Sequence, residues 1–357
     1  MLMIDIAGTQ LSDEDKSLIC HPWVIGVVLF TRNFTSVSQL QQLVQDIRAL
    51  QSREIIIAVD HEGGRVQRFR DGFYPLPALS EIGALYVQDL TLACQLAEAV
   101  GYVSALELQS VGLDMTFAPV LDLNHGSSRV IGDRSFHQDP YIVTRLAAAL
   151  CDGLHQGGFP AVGKHFPGHG YVTADSHESL PTDQRDFDLI EVTDLQPYQG
   201  LIKRDYLEGV MTAHVLYPHY DDVIASLSKK WIGEVLRKNL NFSGVIFSDC
   251  LSMAAVSQTY PDPLQRVELA YQAGSDVVLM CNIRPEVVRV IEDIKLMKKH
   301  LRAQNGATIM SKLRRHRQPH FPTFEHLNDI PAYQKACELL DKLTQKGAAV
   351  EQKRVEV

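Results

Sequence analysis

Eight short apolar runs, rich in valine and isoleucine and each followed by polar or glycine-containing sequence, recur along this chain. They are MIDIA from Met3, VIGVVLF from Val24, EIIIAVD from Glu54, LDMTFAP from Leu113, PAVGKHF from Pro160, GVMTAHV from Gly209, GVIFSD from Gly244 and SDVVLM from Ser275. Runs such as residues 55–59 are apolar without alternation, which is typical of a strand covered on both faces in a parallel sheet. The runs therefore predict β-strands joined through βαβ units.

Stretches between the runs have helical periodicity. One stripe follows Thr35 and Ser36, which could cap a helix, and consists of Leu40, Leu43, Val44 and Ile47. A second stripe consists of Leu92, Leu96, Val100 and Val103. Eight strands ending before about residue 281 fit the roughly 250 residues of a β/α barrel better than an open doubly wound sheet. We predict an α/β fold, a single-domain eight-stranded β/α (TIM) barrel with extra carboxy-terminal helices.

Within this fold we predict a catalytic barrel over residues 1–300 and a helical extension over residues 301–357 that packs on the barrel. The basic segment LRRHRQPH, residues 313–320, is interpreted as a solvated helix end and loop. The cysteines are scattered without a C-x-x-C pair and are predicted to be reduced thiols, at Cys20, Cys94, Cys151, Cys250, Cys281 and Cys337.

Charge and hydropathy limit the partners of the chain. A net charge of -9 and a pI near 5.9 argue against a nucleic-acid or anionic-membrane surface, since both select for clustered Lys and Arg. No run approaches the roughly 18 to 20 apolar residues of a membrane span, and residues 1–16 do not resemble a signal peptide. We therefore expect a cytoplasmic protein that acts on a small neutral or modestly anionic molecule; the sequence predicts no particular oligomeric state.

Functional residues of a β/α barrel gather at the carboxyl ends of its strands. Five of the runs end in titratable residues, namely Asp60 with Glu62, Asp122, Lys164 with His165, His214, and Asp249. Any one of them could be a hydrogen-bonded structural residue, but five such ends together predict a functional site. Asp249 directly follows a buried strand, where a nucleophile is held rigidly and can attack an anomeric carbon.

The densest polar segment is KHFPGHGYVTADSHESLP, which contains His165, His169, Asp175 and His177. The spacing of Asp175 and His177 lets the carboxylate reach the imidazole across a turn, which makes a proton shuttle. A metal site is the minority interpretation, because ligands usually lie on regular elements and HFPGHG cannot be helical through its Pro and Gly.

Other charged residues suit a sugar. Asp60 and Arg68, with Arg134 and Lys164, supply donors and a carboxylate for hydroxyl and amide groups. The glycines of the EGG segment permit a close backbone approach or a positive φ.

These segments together resemble glycoside hydrolase family 3, and within it the short single-domain bacterial β-N-acetylhexosaminidases of peptidoglycan recycling. The resemblance is carried by VVLFTRN at Val27, AVDHEGGRVQRF at Ala58, LDMTFAPVLDLN at Leu113, VIGDRSF at Val130, GKHFPGHG at Gly163 with DSH at Asp175, MTAHVLYP at Met211 and IFSDCLSM at Ile246. The motifs run in the family's order and span residues 1 to about 285.

The resemblance implies a retaining exo-β-N-acetylglucosaminidase that needs no metal or other cofactor. Its substrate would be a muropeptide or disaccharide from cell-wall recycling, with a terminal N-acetylglucosamine on 1,6-anhydro-N-acetylmuramic acid. Asp249 would be the nucleophile that forms a covalent glycosyl-enzyme, and His177, paired with Asp175, the general acid/base. The resemblance assigns the N-acetylglucosamine subsite to Asp60, Arg68, Arg134, Lys164 and His165.

Two positions depart from the family pattern. Cys250 stands where relatives usually have a second Asp after the nucleophile. Because successive strand residues face opposite ways, we expect Cys250 to point away from Asp249, and the change to modulate activity rather than abolish it. His61 stands where relatives often have Gln and is expected to be a tolerated change beside the pocket.

Two other functions stay open at this point. A metal-dependent barrel hydrolase or lyase would use as ligands His165, His169, His177 and His214. A carbohydrate-binding barrel without catalysis is disfavoured because both Asp249 and His177 are present. The acceptor is open as well: a neutral His177 repels an anion less than a carboxylate would, so phosphate could compete with water.

Overall fold

The computed structural model describes residues 1–50, 54–294, 306–318 and 320–355, with side chains as far as Leu343. Its strands are β1 (Leu2–Asp5), β2 (Val24–Leu29), β3 (Ile56–Val59), β4 (His61–Gly63), β5 (Val66–Gln67), β6 (Met115–Thr116), β7 (Val162–Phe166), β8 (Gly209–Thr212), β9 (Val245–Cys250) and β10 (Val277–Met280). All except β4 and β5 belong to one eight-stranded parallel sheet, and each overlaps one of the eight apolar runs. The predicted barrel fold is confirmed.

The sheet has the strand order β6-β3-β2-β1-β10-β9-β8-β7 and closes on itself. Closure occurs between β7 and the chain that continues β6. The N–H groups of Val162 and Lys164 donate to the carbonyls of Ala118 and Pro119 at 2.7 and 3.1 Å, and the Leu121 N–H donates to the Lys164 carbonyl at 2.7 Å. Closure leaves no unpaired edge and brings the carboxyl ends of all eight strands around one opening.

Helices cover the outside of the barrel. They are α1 (Asp13–Ile19), α2 (Val37–Ala49), α3 (Leu79–Leu85), α4 (Leu90–Ser110), α5 (Pro140–Gln156), α6 (Phe187–Val192), α7 (Leu195–Ile202), a π-helix (Lys230–Asn239), α8 (Ala254–Ser257), α9 (Pro263–Ala273), α10 (Arg284–Asp293), α11 (Gly306–Leu313) and α12 (Pro331–Val355). The two predicted helical stripes lie in α2 and α4. Ser36 caps α2, accepting the Gln39 N–H at 3.2 Å. None of the helices in the described ranges is long and apolar enough to cross a membrane.

The barrel lumen is filled by side chains that alternate with those facing the helices. Phe117 and Phe247 meet edge to face there, with ring centroids 5.7 Å apart. Ile309, Met310 and Leu313 of α11 pack against the same lumen cluster. Helix α11 therefore covers the end of the barrel opposite the strand carboxyl ends.

The segments after residue 306 are tied to the barrel by polar contacts. On α12, Tyr333 donates its hydroxyl to Glu107 of α4 at 2.7 Å. The predicted division at residue 300 falls among residues outside the described ranges and stays a prediction. The basic segment does follow a helix end, but its prediction as solvated is wrong in part. Arg314 forms an ion pair with Asp114 at 3.1 Å and Arg315 one with Glu208 at 2.7 Å, because acidic groups at the strand amino ends face it.

Glu107 makes the stability of the protein depend on pH. Burial raises the pKa of Glu107 to about 7, although the Tyr333 hydroxyl and the Tyr74 N–H favour its ionised form. A protein with an acid whose pKa is raised on folding loses stability as the pH rises. The loss occurs between pH 4.5, the pKa of Glu107 in the unfolded chain, and about 7, its pKa in the folded protein. At about 1.4 kcal/mol per pKa unit, the loss at pH 8 is about 3 kcal/mol.

Glu107→Gln removes this ionisation. We therefore expect the free energy of unfolding of the variant, relative to that of wild type, to increase from pH 5 to pH 8. Urea unfolding of both proteins at the two pH values measures the change. A difference between the two proteins that is the same at pH 5 and pH 8 would show that the pKa of Glu107 is not raised.

Candidate active site

The carboxyl ends of the strands open into a cavity of about 1100 Å³. This volume is slightly above the range of ordinary ligand pockets, which are about 300–1,000 Å³. All the residues to which the resemblance assigned a catalytic or sugar-binding role line the cavity, namely Asp60, Arg68, Arg134, Lys164, His165, Asp175, His177 and Asp249. They come from strand ends and loops that are distant in the chain, so closure of the barrel is what assembles them.

A buried carboxylate, Glu62, organises one wall of the cavity. Arg134 donates Nε and Nη2 to its two oxygens at 2.8 Å each, and Lys164 Nζ lies 2.6 Å from Oε1. Burial opposes ionisation, but the two cations hold the pKa of Glu62 well below its usual range. Glu62 is therefore a fixed anion, and it fixes the heads of Arg134 and Lys164 in turn.

Asp60 and Arg68 lie on the more exposed part of the same wall. Lys164 Nζ donates to Asp60 Oδ1 at 2.7 Å, while Arg68 Nη2 lies 3.8 Å from Asp60 Oδ2. The β4–β5 hairpin, which the sequence did not predict, leads the chain from Asp60 to Arg68. Its turn requires glycine, as expected: Gly63 has a φ of 105°, and a Cβ there would lie 2.4 Å from the Pro77 carbonyl oxygen.

Asp122 positions His165. Asp122 Oδ2 lies 2.7 Å from His165 Nδ1, and Oδ1 accepts the His169 N–H at 2.7 Å. These contacts hold the pKa of Asp122 below its usual value despite complete burial. An ionised Asp122 keeps the proton of His165 on Nδ1 and leaves Nε2 for the cavity.

Asp249 is the penultimate residue of β9 and carries a half-buried carboxylate. Burial opposes its ionisation, but the imidazoles of His214 and His165 and the N–H of Cys250, 2.7 Å away, hold the pKa of Asp249 below its usual value. His214 donates Nε2–H to the Cys250 carbonyl at 3.0 Å, and its Nδ1 lies 2.7 Å from Ser226 Oγ. Asp249 is thus an anion followed by a residue whose main-chain N–H and carbonyl are both hydrogen-bonded, which gives the rigid setting that a nucleophile requires.

The expectation that Cys250 points away from Asp249 is wrong. Both residues line the cavity, and Cys250 packs against the lumen cluster that contains Phe247. The pairing between β9 and β10 shifts register, with Val277 opposite Phe247 but Leu279 opposite Cys250. Such a bulge adds a residue on one strand and cancels the alternation of side chains. The other departure, His61, lies outside the cavity lining and is buried against the rings of Phe69 and Phe73.

His177 lies on the loop that follows β7 and is largely exposed, with 66% of its side chain accessible. Its Nδ1 lies 2.8 Å from Asp175 Oδ1, which also accepts the His177 N–H at 2.8 Å, in the arrangement that the spacing predicted. The carbonyl of Ser176 accepts the Ala255 N–H at 3.0 Å. The loop is therefore attached to the segment after the Asp249 strand, with His177 Nε2 as the nitrogen available for proton transfer.

The positioning residues Glu62, Asp122 and His214 were recognised in the sequence as strand-end groups but received no positioning role; His214 was considered only as a metal ligand. The signal that marks them is a titratable residue at the end of a buried run. The four histidines considered as metal ligands do not converge on one point among the described residues; His165 contacts Asp122, and His214 contacts Ser226. The single candidate ligand group within those residues consists of His155, Glu208 and His316.

The family model for the Glycosyl hydrolase family 3 N terminal domain matches residues 1–315. The chain belongs to glycosyl hydrolase family 3. A β-hexosaminidase from Methylobacillus flagellatus is 48% identical over 294 residues, which are 82% of this chain and 84% of that protein. Another, from Alkalilimnicola ehrlichii, is 45% identical over 335 residues, 94% of each chain.

Among solved structures, NagZ from Neisseria gonorrhoeae in complex with N-trifluoroacetyl-D-glucosamine superposes with a TM-score of 0.88. The two are 39% identical, and the match covers 96% of this chain and 97% of that one. The family and the enzyme class predicted from the sequence, a glycoside hydrolase of the β-N-acetylhexosaminidase type, are confirmed.

Glu62→Gln tests the buried ion network. Removing one member of a buried pair leaves the partner charges uncompensated, so we expect the free energy of unfolding to fall by about 3–5 kcal/mol. The matched control is Asp133→Asn, which breaks the half-exposed pair with Arg65 and should cost about 1 kcal/mol or less. Urea unfolding at pH 7 measures both changes. Equal losses in the two variants would contradict the organising role of Glu62.

Proposed function

We propose that this enzyme is a retaining exo-β-N-acetylglucosaminidase that removes terminal N-acetylglucosamine from muropeptide fragments through a covalent glycosyl-aspartate. The observation that carries the proposal is the pairing, in one cavity, of an ionised Asp249 with an imidazole, His177, oriented by Asp175. The N-acylated glucosamine in the N. gonorrhoeae NagZ structure supports the sugar class.

In the first step, Asp249 attacks the anomeric carbon while the bond to the leaving oxygen breaks. His177, protonated on Nε2, gives that proton to the leaving oxygen, and the sugar becomes an ester of Asp249. In the second step, the now neutral His177 takes a proton from water as the water attacks the anomeric carbon and releases the Asp249 carboxylate. Each step inverts the anomeric centre, so the product retains the configuration of the substrate.

The sugar-binding role falls to Asp60, Arg68, Arg134, Lys164 and His165. Lys164 and Arg134 are held in place by Glu62 before substrate arrives, so binding does not require them to lose conformational freedom. Asp60 and Arg68 keep part of their polar surface exposed to the cavity, 24% and 32% of their side chains. Fixed donors beside a carboxylate suit the hydroxyls and the amide of N-acetylglucosamine.

The aglycone and the cellular role belong to the same proposal. A cavity of about 1100 Å³ leaves room beyond one sugar ring for the anhydromuramoyl unit of a recycled wall fragment. The net charge of -9 fits a soluble small molecule better than a polyanionic polymer as partner. We place the reaction in the cytoplasm, in the recycling of peptidoglycan.

Asp249→Asn tests the nucleophile. We expect hydrolysis of an aryl N-acetyl-β-glucosaminide to fall on the order of 10⁴-fold or more, because an amide cannot form the glycosyl ester. Asp188→Asn, at an exposed aspartate, is the control and should retain activity. Since N. gonorrhoeae NagZ has also been solved with a zinc ion, each assay is run with and without a chelator. Turnover that a chelator abolishes, or that survives in Asp249→Asn, would contradict the mechanism.

His177→Ala tests the acid. We expect kcat/KM for a disaccharide, whose leaving group needs a proton, to fall about 10²–10⁴-fold, and kcat/KM for an activated aryl glycoside to fall much less. His219→Ala is the control, because His219 is also exposed and paired with a carboxylate, Asp186, at 2.9 Å. Equal losses on the two substrates would exclude the acid role of His177.

A further inference from the structure

A second cluster of titratable side chains lies at the opposite end of the barrel from the active site. His155 is in the last turn of α5, Glu208 directly precedes β8, and His316 follows α11. Strand β8 has four residues and therefore separates the two ends by about 13 Å at about 3.3 Å per residue. The cluster takes no part in the chemistry at the strand carboxyl ends.

Three potential ligand atoms converge in this cluster. Glu208 Oε2 lies 3.0 Å from His155 Nε2, and Glu208 Oε1 lies 3.0 Å from His316 Nε2. All three ligand atoms lie within 4.8 Å of one another. Two imidazole nitrogens and one carboxylate are a donor set that catalytic zinc sites use.

The carboxylate of the cluster is buried and held in place by the main chain. Glu208 is 4% exposed, and its Oε2 also accepts the Ala161 N–H at 2.9 Å. Glu208 is thus an oxygen ligand anchored by a main-chain hydrogen bond.

The Nε2 atom of His316 lies 3.0 Å from Glu208 Oε1 and 3.2 Å from Arg315 Nε. Without an ion, an Nε2–H of His316 donates to the Glu208 carboxylate. A bound ion would take the place of this proton between Nε2 and Oε1.

We propose that His155, Glu208 and His316 form a binding site for a divalent transition-metal ion, with Zn²⁺ as the best fit. The two rings are stacked, with centroids 3.8 Å apart, and both present Nε2 to the same carboxylate. Because the rings are nearly parallel, each must rotate about its Cβ–Cγ bond before both Nε2 lone pairs point at one ion, to which zinc–imidazole bonds are roughly 2.0–2.1 Å long. The histidine side chains are 15% and 23% exposed, so water completes the coordination.

Such an ion would join three segments that are far apart in the sequence. It would attach the chain after α11, through His316, to α5 and to the start of β8. Because an ion that binds only the folded state stabilises it, the site would act as a clip for the carboxy-terminal part of the chain. Arg315, which is 43% exposed, would keep its contact with Glu208 from the solvent side.

Equilibrium dialysis of the chelator-treated full-length protein against Zn²⁺ tests the site. We expect wild type to retain one equivalent that is lost, or bound at least about tenfold more weakly, in His155→Gln and in His316→Gln. His219→Gln, at an exposed histidine away from the cluster, should bind as wild type does. Asp249→Asn should also keep this equivalent, which separates the site from any zinc held at the catalytic centre.

Thermal unfolding is the second readout. Zn²⁺ should raise the Tm of wild type and of His219→Gln but not that of the two cluster variants, whose fold is checked by circular dichroism. Wild type that retains no Zn²⁺ overturns the proposal. Cluster variants that bind Zn²⁺ as tightly and are stabilised as much as wild type overturn it as well. Neither result bears on the glycosidase activity, which the Asp249 and His177 variants test separately.

Discussion

The buried ion pairs of Glu62 are the constraint on which the active-site wall depends. Glu62 follows β3, Arg134 lies in the loop beyond β6, and Lys164 is on β7, so one carboxylate joins three segments. A charge in this setting is tolerated only while it is paired, because its desolvation costs several kcal/mol. Each member of the network therefore requires the others, and the substrate meets cations that are already in position.

Asp249 and His177 occupy opposite environments, and the proposed chemistry explains the difference. A nucleophile must stay ionised and fixed, which Asp249 achieves at a strand end beside imidazoles and a main-chain N–H. An acid/base group must change its protonation state in every cycle while leaving groups and water pass it. His177 is exposed on a loop and oriented through a single carboxylate, so a proton can move on and off without a buried charge being created.

The two ends of the barrel differ in structure and in role. At the carboxyl ends, charges are held by one another and left open to a cavity. At the amino ends, α11 closes the lumen, and acidic groups such as Asp114 and Glu208 bind the basic segment that follows it. The closed sheet between the two ends is packed with apolar side chains. These side chains separate the active-site cavity from the contacts that attach the carboxy-terminal segment.

The sequence by itself determined the barrel strands, the helices α2 and α4, and the strand-end residues that meet in the cavity. These follow from local pattern: a strand covered on both faces must be apolar throughout, a helix must present a stripe, and a barrel gathers its strand ends. The tertiary structure alone decided the β4–β5 hairpin, the orientation of Cys250, and the partners of Glu62, His214 and Glu208. Those features depend on register between strands and on pairing between charges far apart in the chain, and neither leaves a periodic trace in the sequence.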